Sequence, residues 1–306
     1  MIVLPRQESE KNLAVAAAVR RGIADAHPEL QRIQAGFAGE KYIDRQWQQM
    51  RIADEYYLMH DYFVRLPNES THQIDTIFLC RNFILSIEIK NIVGRIDFEQ
   101  EKHQFFRTME DGTIQGFRNP IDQVVRHQRW IASFVKGEIP VEYAVVFSNP
   151  KTIIGKTSGA NIFHASGLES QINRLIHNHS KQCSSEELRK VIRDLLAIKC
   201  EPSKNLEVNP LMLRKGVLCK HCNYQFTMQF RYGKFECSNC LIRSNESLRD
   251  GLEDYRLLIS EWISNQAFRN FFEIDSADAS KRLLKSLKLQ YRGTFKNREY
   301  KICPKK

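Results

Sequence analysis

The stretch QIDTIFLCRNFILSIEIK, residues 73–90, holds three side chains able to do chemistry together: Asp75, Glu88 and Lys90. Apolar residues alternate at Phe83, Leu85, Ile87 and Ile89. That spacing predicts a strand whose other face carries Ile84, Ser86, Glu88 and Lys90. An aspartate on the preceding strand, a hairpin and then Glu-x-Lys suit metal-dependent phosphodiester hydrolysis. Two carboxylates offer hard oxygen ligands to a cation such as Mg2+. A lysine beside them can orient or activate water and offset phosphate charge. Read alone, the residues also fit a surface strand with a solvated Glu and Lys, because so short a motif carries little.

The neighbouring segments add to the motif. GFAGEKYIDRQW, residues 36–47, reads as a glycine-punctuated helix carrying Glu40. NPIDQVVRHQRWIASF, residues 119–134, reads as a helix with Pro120 near its first turn. Gln123 and His127 are four apart on one face of it. Gly36-x-x-Gly39-Glu40, Gln73-Ile74-Asp75, Glu88-Ile89-Lys90 and Asn119-Pro120 with Gln123 and His127 occur in an order that resembles the nuclease-related domain (NERD) family of the PD-(D/E)xK superfamily. The resemblance covers roughly residues 30–150. It implies a nuclease-like activity on a restriction-endonuclease-like core, a mixed sheet flanked by helices. It also implies that Asp75 and Glu88 hold Mg2+ (or Mn2+) and that Lys90 is the catalytic lysine. Glu40 would be an auxiliary acid, and Gln123 a residue shaping the site or touching substrate.

Eight cysteines fall into two groups. Cys80, Cys183, Cys200 and Cys303 are scattered, as free thiols of a reducing compartment would be. Cys219, Cys222, Cys237 and Cys240 form C-x2-C-x14-C-x2-C around a hairpin-like YQFTMQFRYGKFE. Four thiolates in tetrahedral array suit a structural Zn2+, with His221 outside the ligand set. Two redox dithiols are the alternative.

The elements that must position these groups follow an α/β order. Residues 7–35 are helix-prone, interrupted at Pro28. Strands are expected at 73–79, 83–90, 92–99 and 141–149, with a hairpin turning at Asp111-Gly112 and helices near 120–135, 167–179 and 184–198. EPSKNLEVNP, 201–210, reads as a linker. The expected divisions are a helical segment 1–35, a nuclease-related domain 36–200, a zinc ribbon 211–245 and a basic module 246–306. In that module Leu252, Tyr255, Leu258, Ile259, Trp262 and Ile263 make one helical stripe. A helix after Asp275-Ser276 carries Lys281, Arg282, Lys285 and Lys288, and the end reads as a hairpin turning at Lys296-Asn297. This order is similar to a winged helix-turn-helix, whose second helix enters the major groove. A helical lid or dimerisation module fits it as well.

The formal charge is +10 and lopsided. Residues 1–200 hold 26 basic and 24 acidic residues, whereas residues 281–306 hold ten basic residues and only Glu299. A patch of that sign attracts phosphate backbones by counterion release, although a solvated basic tail has the same composition. Lys281, Arg282, Lys285, Lys288, Arg292, Lys296 and Arg298 are the expected DNA contacts. No run approaches the roughly 18 apolar residues of a membrane span, and no secretory signal is evident, so a cytoplasmic location is expected. The expected partner is nucleic acid, DNA first, and the expected activity is that of a metal-dependent nuclease. A non-catalytic DNA-binding protein and a zinc-braced adaptor on the same fold are the alternatives.

Overall fold

In the computed structural model, which describes residues 1–155, 157, 161–202, 206–294 and 297–304 (the Gln100 side chain aside), the N-terminal stretch divides. It forms β1 (Ile2–Leu4), α1 (Glu10–Arg20) and the start of α2 (His27–Trp47). Ser9 Oγ accepts from Asn12 N and caps α1. Pro28 does not interrupt the helical run. It is the second residue of α2, where a missing N–H costs nothing. The chain forms two compact units, Met1–Glu8 with Arg32–Pro202 and Ser9–Gln31 with Ser203–Lys306. Residues 1–35 are therefore not one segment, and the cysteine hairpin and the basic module share a unit. Of the expected linker, residues 203–205 lie outside the described residues.

The first unit is built on a six-stranded mixed sheet, and the α/β class expected from the sequence is the observed one. It contains β2 (Tyr56–Arg65), β3 (Thr71–Cys80), β4 (Ile84–Lys90), β8 (Val141–Phe147) and β10 (Ile162–His164) in the order β1-β2-β3-β4-β8-β10. β2, β3 and β4 run antiparallel, and β4, β8 and β10 run parallel. β5 (Gly94–Glu99), β6 (Gln104–Thr108), β7 (Ile114–Phe117) and β9 (Thr152–Ile154) form a second sheet. α3 (Pro120–Phe134) begins at Asn119, whose side chain accepts from Ile121 N. α4 (Leu168–Asn178) and α5 (Ser185–Ile198) complete the unit, α5 with a Ser184/Glu187 capping box. Central β4 is covered on both faces. Leu85, Ile87 and Ile89 join Ile43, Trp47 and Phe78 in one core, and Ile84 joins Ile74, Ile77 and Leu195 in another.

The second unit carries the cysteines around β11 (Val217–Leu218), β12 (Thr227–Arg231), β13 (Lys234–Cys237) and β14 (Arg243–Ser244), an antiparallel sheet in that order, with Cys237 at the end of β13 and the other three in the turns. Helices α6 (Glu246–Leu258), α7 (Asn265–Phe272) and α8 (Ala277–Ser286) follow. The expected apolar stripe is broken after Leu258. Trp262 and Ile263 belong to β15 (Trp262–Ser264), because pairing with β17 (Glu299–Lys301) overrides the helical spacing. β16 (Tyr291–Arg292) lies on the other side of β17. The order in this module is α6-β15-α7-α8-β16-β17. Of the expected turn at Lys296-Asn297, Lys296 lies outside the described residues. On α6, Asp254 is buried and holds both Arg20, the last residue of α1, and Arg21 just after it, and Arg21 Nη1 donates to Gly216 O at 2.8 Å.

Candidate active site and cysteine cluster

Glu88 and Lys90 leave β4 on one face, as the alternation requires. Glu88 is only 2 % exposed, which removes the solvated-strand reading. Lys90 Nζ donates to Glu88 Oε1 at 2.5 Å, and Gln123 Nε2 from α3 donates to Glu88 Oε2 at 2.9 Å. One turn on, His127 is buried, with its Nδ1 2.8 Å from His72 Nδ1. That contact fixes the face of α3 that Gln123 shares.

Thr76 pairs with Ile87, and the same register carried one step sets Asp75 opposite Glu88. The pairs His60–Thr76 and Tyr62–Ile74 bracket Asp61 and Asp75. Asp61, Asp75 and Glu88 thus stand in one row across β2, β3 and β4. Asp75 Oδ2 accepts from Ile89 N at 2.7 Å, which fixes that carboxyl against the edge of β4.

Glu40 reaches the site from α2. A Cβ at Gly39 would run into Ser148 Oγ and stand 2.6 Å from Asn91 Cβ, so only glycine lets the helix approach this closely. Asn91 Nδ2 donates to Ala35 O at 2.6 Å and holds it there. Gly36 meets nothing within 4 Å, so the first glycine of the motif has no such packing role.

Sequence reasoning missed Arg6. Its side chain is 3 % exposed and forms ion pairs with Glu40 (2.8 Å), Asp44 (2.7 Å) and Asp61 (2.8 Å). It also donates to Asp75 O at 3.1 Å. The missed Asp61 had a signal in the sequence: YYLMHDYFVR ends at the turn-prone Leu66-Pro67-Asn68, and hairpin register from there sets Asp61 against Asp75. Arg6 had none.

The electrostatics follow from burial and crowding of like charges. Burial, then the charge of Asp75, pushes Glu88 up to about 8, and the same two causes push Glu40 up to about 8. Burial also raises Asp75 against the pull of Lys90, the Ile89 N–H and Arg6. Burial raises Asp61 to about 6, opposed by Arg6 and reinforced by Asp75 and Asp44. Burial alone would lower Lys90, but Glu88 and Asp75 outweigh it and the ammonium is held above its ordinary value.

The donor set suits a hard divalent cation. Asp75 Oδ1 and Glu40 Oε1 take no protein hydrogen bond among the described residues, and every acid of the row would titrate lower beside added positive charge. A closed three-carboxylate cage is not preformed. Among the described residues, only the four cysteines bring three or more candidate ligand atoms within 4.8 Å of one another.

In that cysteine cluster, Cys219 Sγ lies 3.7 Å from Cys240 Sγ, and Cys222 Sγ lies 3.8 Å from Cys237 Sγ. Zn–S bonds of about 2.3 Å in a tetrahedron put sulfurs about 3.8 Å apart. The four thiols therefore have the spacing of a zinc ribbon. Asn223 and Tyr224 turn the first knuckle with φ of 49° and 61°.

Of the expected DNA contacts, Lys281, Arg282 and Lys285 are exposed on α8, and Lys288 is exposed just beyond it. Arg292 is paired with Glu299 at 2.7 Å and lies over Trp262, and Arg298 lies over Tyr291. Lys296 lies outside the described residues.

Residues 35–148 match the family model of the nuclease-related domain. No curated protein and no solved structure matches the chain. No helix among the described residues is long and apolar enough to cross a membrane.

Proposed function

We propose that this protein hydrolyses phosphodiester bonds in DNA with the help of a divalent cation, Mg2+ or Mn2+. One observation carries the reading: the buried Glu88 carboxylate is held by Lys90 on one oxygen and Gln123 on the other, opposite Asp75 in the strand register. Asp75 and Glu88 would hold the cation, with Glu40 the auxiliary acid. When bound, the cation supplies positive charge to the scissile phosphate and acidifies water. Lys90 positions the attacking water or stabilises the developing charge. Gln123 keeps the Glu88 carboxylate from turning away. In the second unit, the cysteines hold a structural Zn2+. The order α6-β15-α7-α8-β16-β17 supports a winged-helix module, with α8 presenting Lys281, Arg282 and Lys285 to DNA.

The test is Mg2+- or Mn2+-dependent cleavage of plasmid, linear and single-stranded DNA. Wild type should cut at least one substrate. Asp75→Asn and Lys90→Ala should bind it with near wild-type affinity and not cut. Cutting by either variant at the wild-type rate sinks the assignment. A second reading, nucleic-acid binding without cleavage, draws on Arg6, which already neutralises part of the acid cluster. It predicts binding with no cleavage by any form of the protein.

A further inference from the structure

A groove of about 580 Å³ lies between the tip of the β12–β13 hairpin and α8, lined among others by Phe230, Tyr232, Asn245, Arg282 and Leu283. No acidic side chain lines it. Arg231 pairs with Lys234, so Tyr232 and Gly233 form a two-residue turn with φ of 48° and 82°. Such turns favour Asn-Gly or Gly-Gly, and a tyrosine in left-handed backbone is uncommon. This one is 96 % exposed, and its one cation contact is the Arg243 guanidinium, 5.9 Å from the ring centroid, which leaves most of the ring open. Phe230 is half-buried and rests against Phe235, its ring centroid 5.1 Å away. Around the groove, Arg231, Lys234, Arg243, Lys281 and Lys285 are all exposed.

We infer that this groove takes an unpaired base of a nucleic-acid strand whose paired portion lies on α8. The inference rests on the proposal that α8 meets DNA. An aromatic wall, a lining without acids and a rim where these five cations outnumber Glu236 (paired with Arg243), Glu246 and Asp278 are the chemistry of base stacking beside a phosphate track. The volume suits one or two nucleotides rather than a duplex, and α8 forms one wall, so the two parts of the ligand would be continuous. Tyr232 would stack on the base, and Arg282 would hold the adjoining phosphate. The C-terminal unit would then prefer junctions of single and double strands to uninterrupted duplex.

The test uses the full zinc-loaded chain carrying Glu88→Gln, without Mg2+, so that binding is read apart from cleavage. The probes are a blunt duplex and the same duplex with a five-nucleotide 5′ or 3′ overhang, carrying 2-aminopurine at the first unpaired position. The protein should bind one overhang about tenfold or more tighter than the blunt duplex and change the 2-aminopurine fluorescence, since stacking is worth that much per base. Tyr232→Ala should erase the preference and the fluorescence change while leaving blunt-duplex affinity and zinc content unchanged, and Tyr232→Phe should keep both. Equal affinity of the parent protein for blunt and overhanging duplex overturns the inference, leaves α8 as a duplex contact and turns the groove over to a protein partner. Loss of both affinities in proportion on Tyr232→Ala overturns it too. Failure to bind either probe overturns both this inference and the DNA-binding role of α8, without bearing on the chemistry of Asp75, Glu88 and Lys90.

Discussion

Arg6 and Glu40, 34 positions apart, are joined by a 2.8 Å ion pair inside the first unit. The same guanidinium reaches Asp44 and Asp61, so it is a built-in cation at one end of the acidic row. Removing it leaves half-buried carboxylates facing one another. Arg6→Met should cost about 3 kcal/mol of stability near neutral pH, as for other broken buried pairs. The deficit should shrink toward pH 5, where Asp61, held up at about 6, takes up a proton. Urea titrations of both proteins at the two pH values decide it. An equal deficit at both would mean that Arg6 acts through packing alone.

The acids also set a pH dependence. Glu88 and Glu40 titrate near 8 in the fold, against an ordinary 4.5. Between those values the folded chain binds more protons than the unfolded one, so stability is lost as pH rises through the window. Burial holds His60 down at about 4 and His127 at about 3, which works the other way, but only below the ordinary 6.5. Asp61, at about 6, has finished by then. The expected outcome is a melting temperature that falls from pH 6.5 to 8.5 in divalent-free buffer. Glu88→Gln should flatten the fall, and so should millimolar Mg2+. A flat profile for the wild type would contradict the buried, crowded picture of these acids.

Gln123 touches Glu88 and acts through it. Gln123→Leu should lower the cleavage rate about 10- to 100-fold and raise the Mg2+ concentration needed, the usual size of such supporting contacts. Gln123→Glu should be worse, since it adds a carboxylate to the row. Rates across a Mg2+ titration separate the two effects. A Gln123→Leu protein with wild-type cation dependence would show that the 2.9 Å contact positions nothing.

The cysteine cluster should carry one zinc per chain, readable by elemental analysis of freshly reduced protein. Cys237→Ser should disturb more than the hairpin, because Arg21 and Phe271 bond to Gly216 just before β11, inside the same unit. The first unit should keep its fold. Protease mapping should find new cuts throughout residues 206–294 and few in residues 36–150. Protection of α6 to α8 in the zinc-free protein would show that the helices stand without the metal.

Local patterns made some of this legible. Alternation in FILSIEIK placed Glu88 and Lys90 on one face, and the glycines placed Glu40, although only Gly39 proves to matter sterically. β2 went unread because Asp61, at φ 48°, breaks its regular course with a charge in mid-strand. Arg6 was illegible because its partners lie 34, 38 and 55 residues away, and nothing in MIVLPRQE marks it. Trp262 and Ile263 followed helical spacing by coincidence. Their strand is decided by Tyr300 and Lys301, nearly forty residues on, and no window of local sequence contains that pairing.

The charge at the C-terminus should supply most of the electrostatic hold on DNA. Residues 281–306 carry ten basic residues and one acid, but Arg292 is already paired with Glu299. The exposed cations of α8 are thus the better candidates. Replacing Lys281, Arg282 and Lys285 together by alanine should weaken binding strongly and flatten log K against log salt by up to about three units of slope, nearly one per lost phosphate contact. Truncation after Pro210 is a poor substitute for this variant. Ala14, Val15, Ala17 and Ala18 of α1 are buried in the unit that the cut would remove, and Arg20 and Arg21 would lose Asp254. A truncated chain should therefore expose α1 and aggregate, confounding lost DNA contacts with lost fold. The triple variant leaves Leu283 and Leu284 in place, so its melting temperature should stay within a few degrees of wild type. An unchanged salt slope in that folded variant would mean that α8 does not touch phosphate, and the adaptor reading would then fit the second unit better.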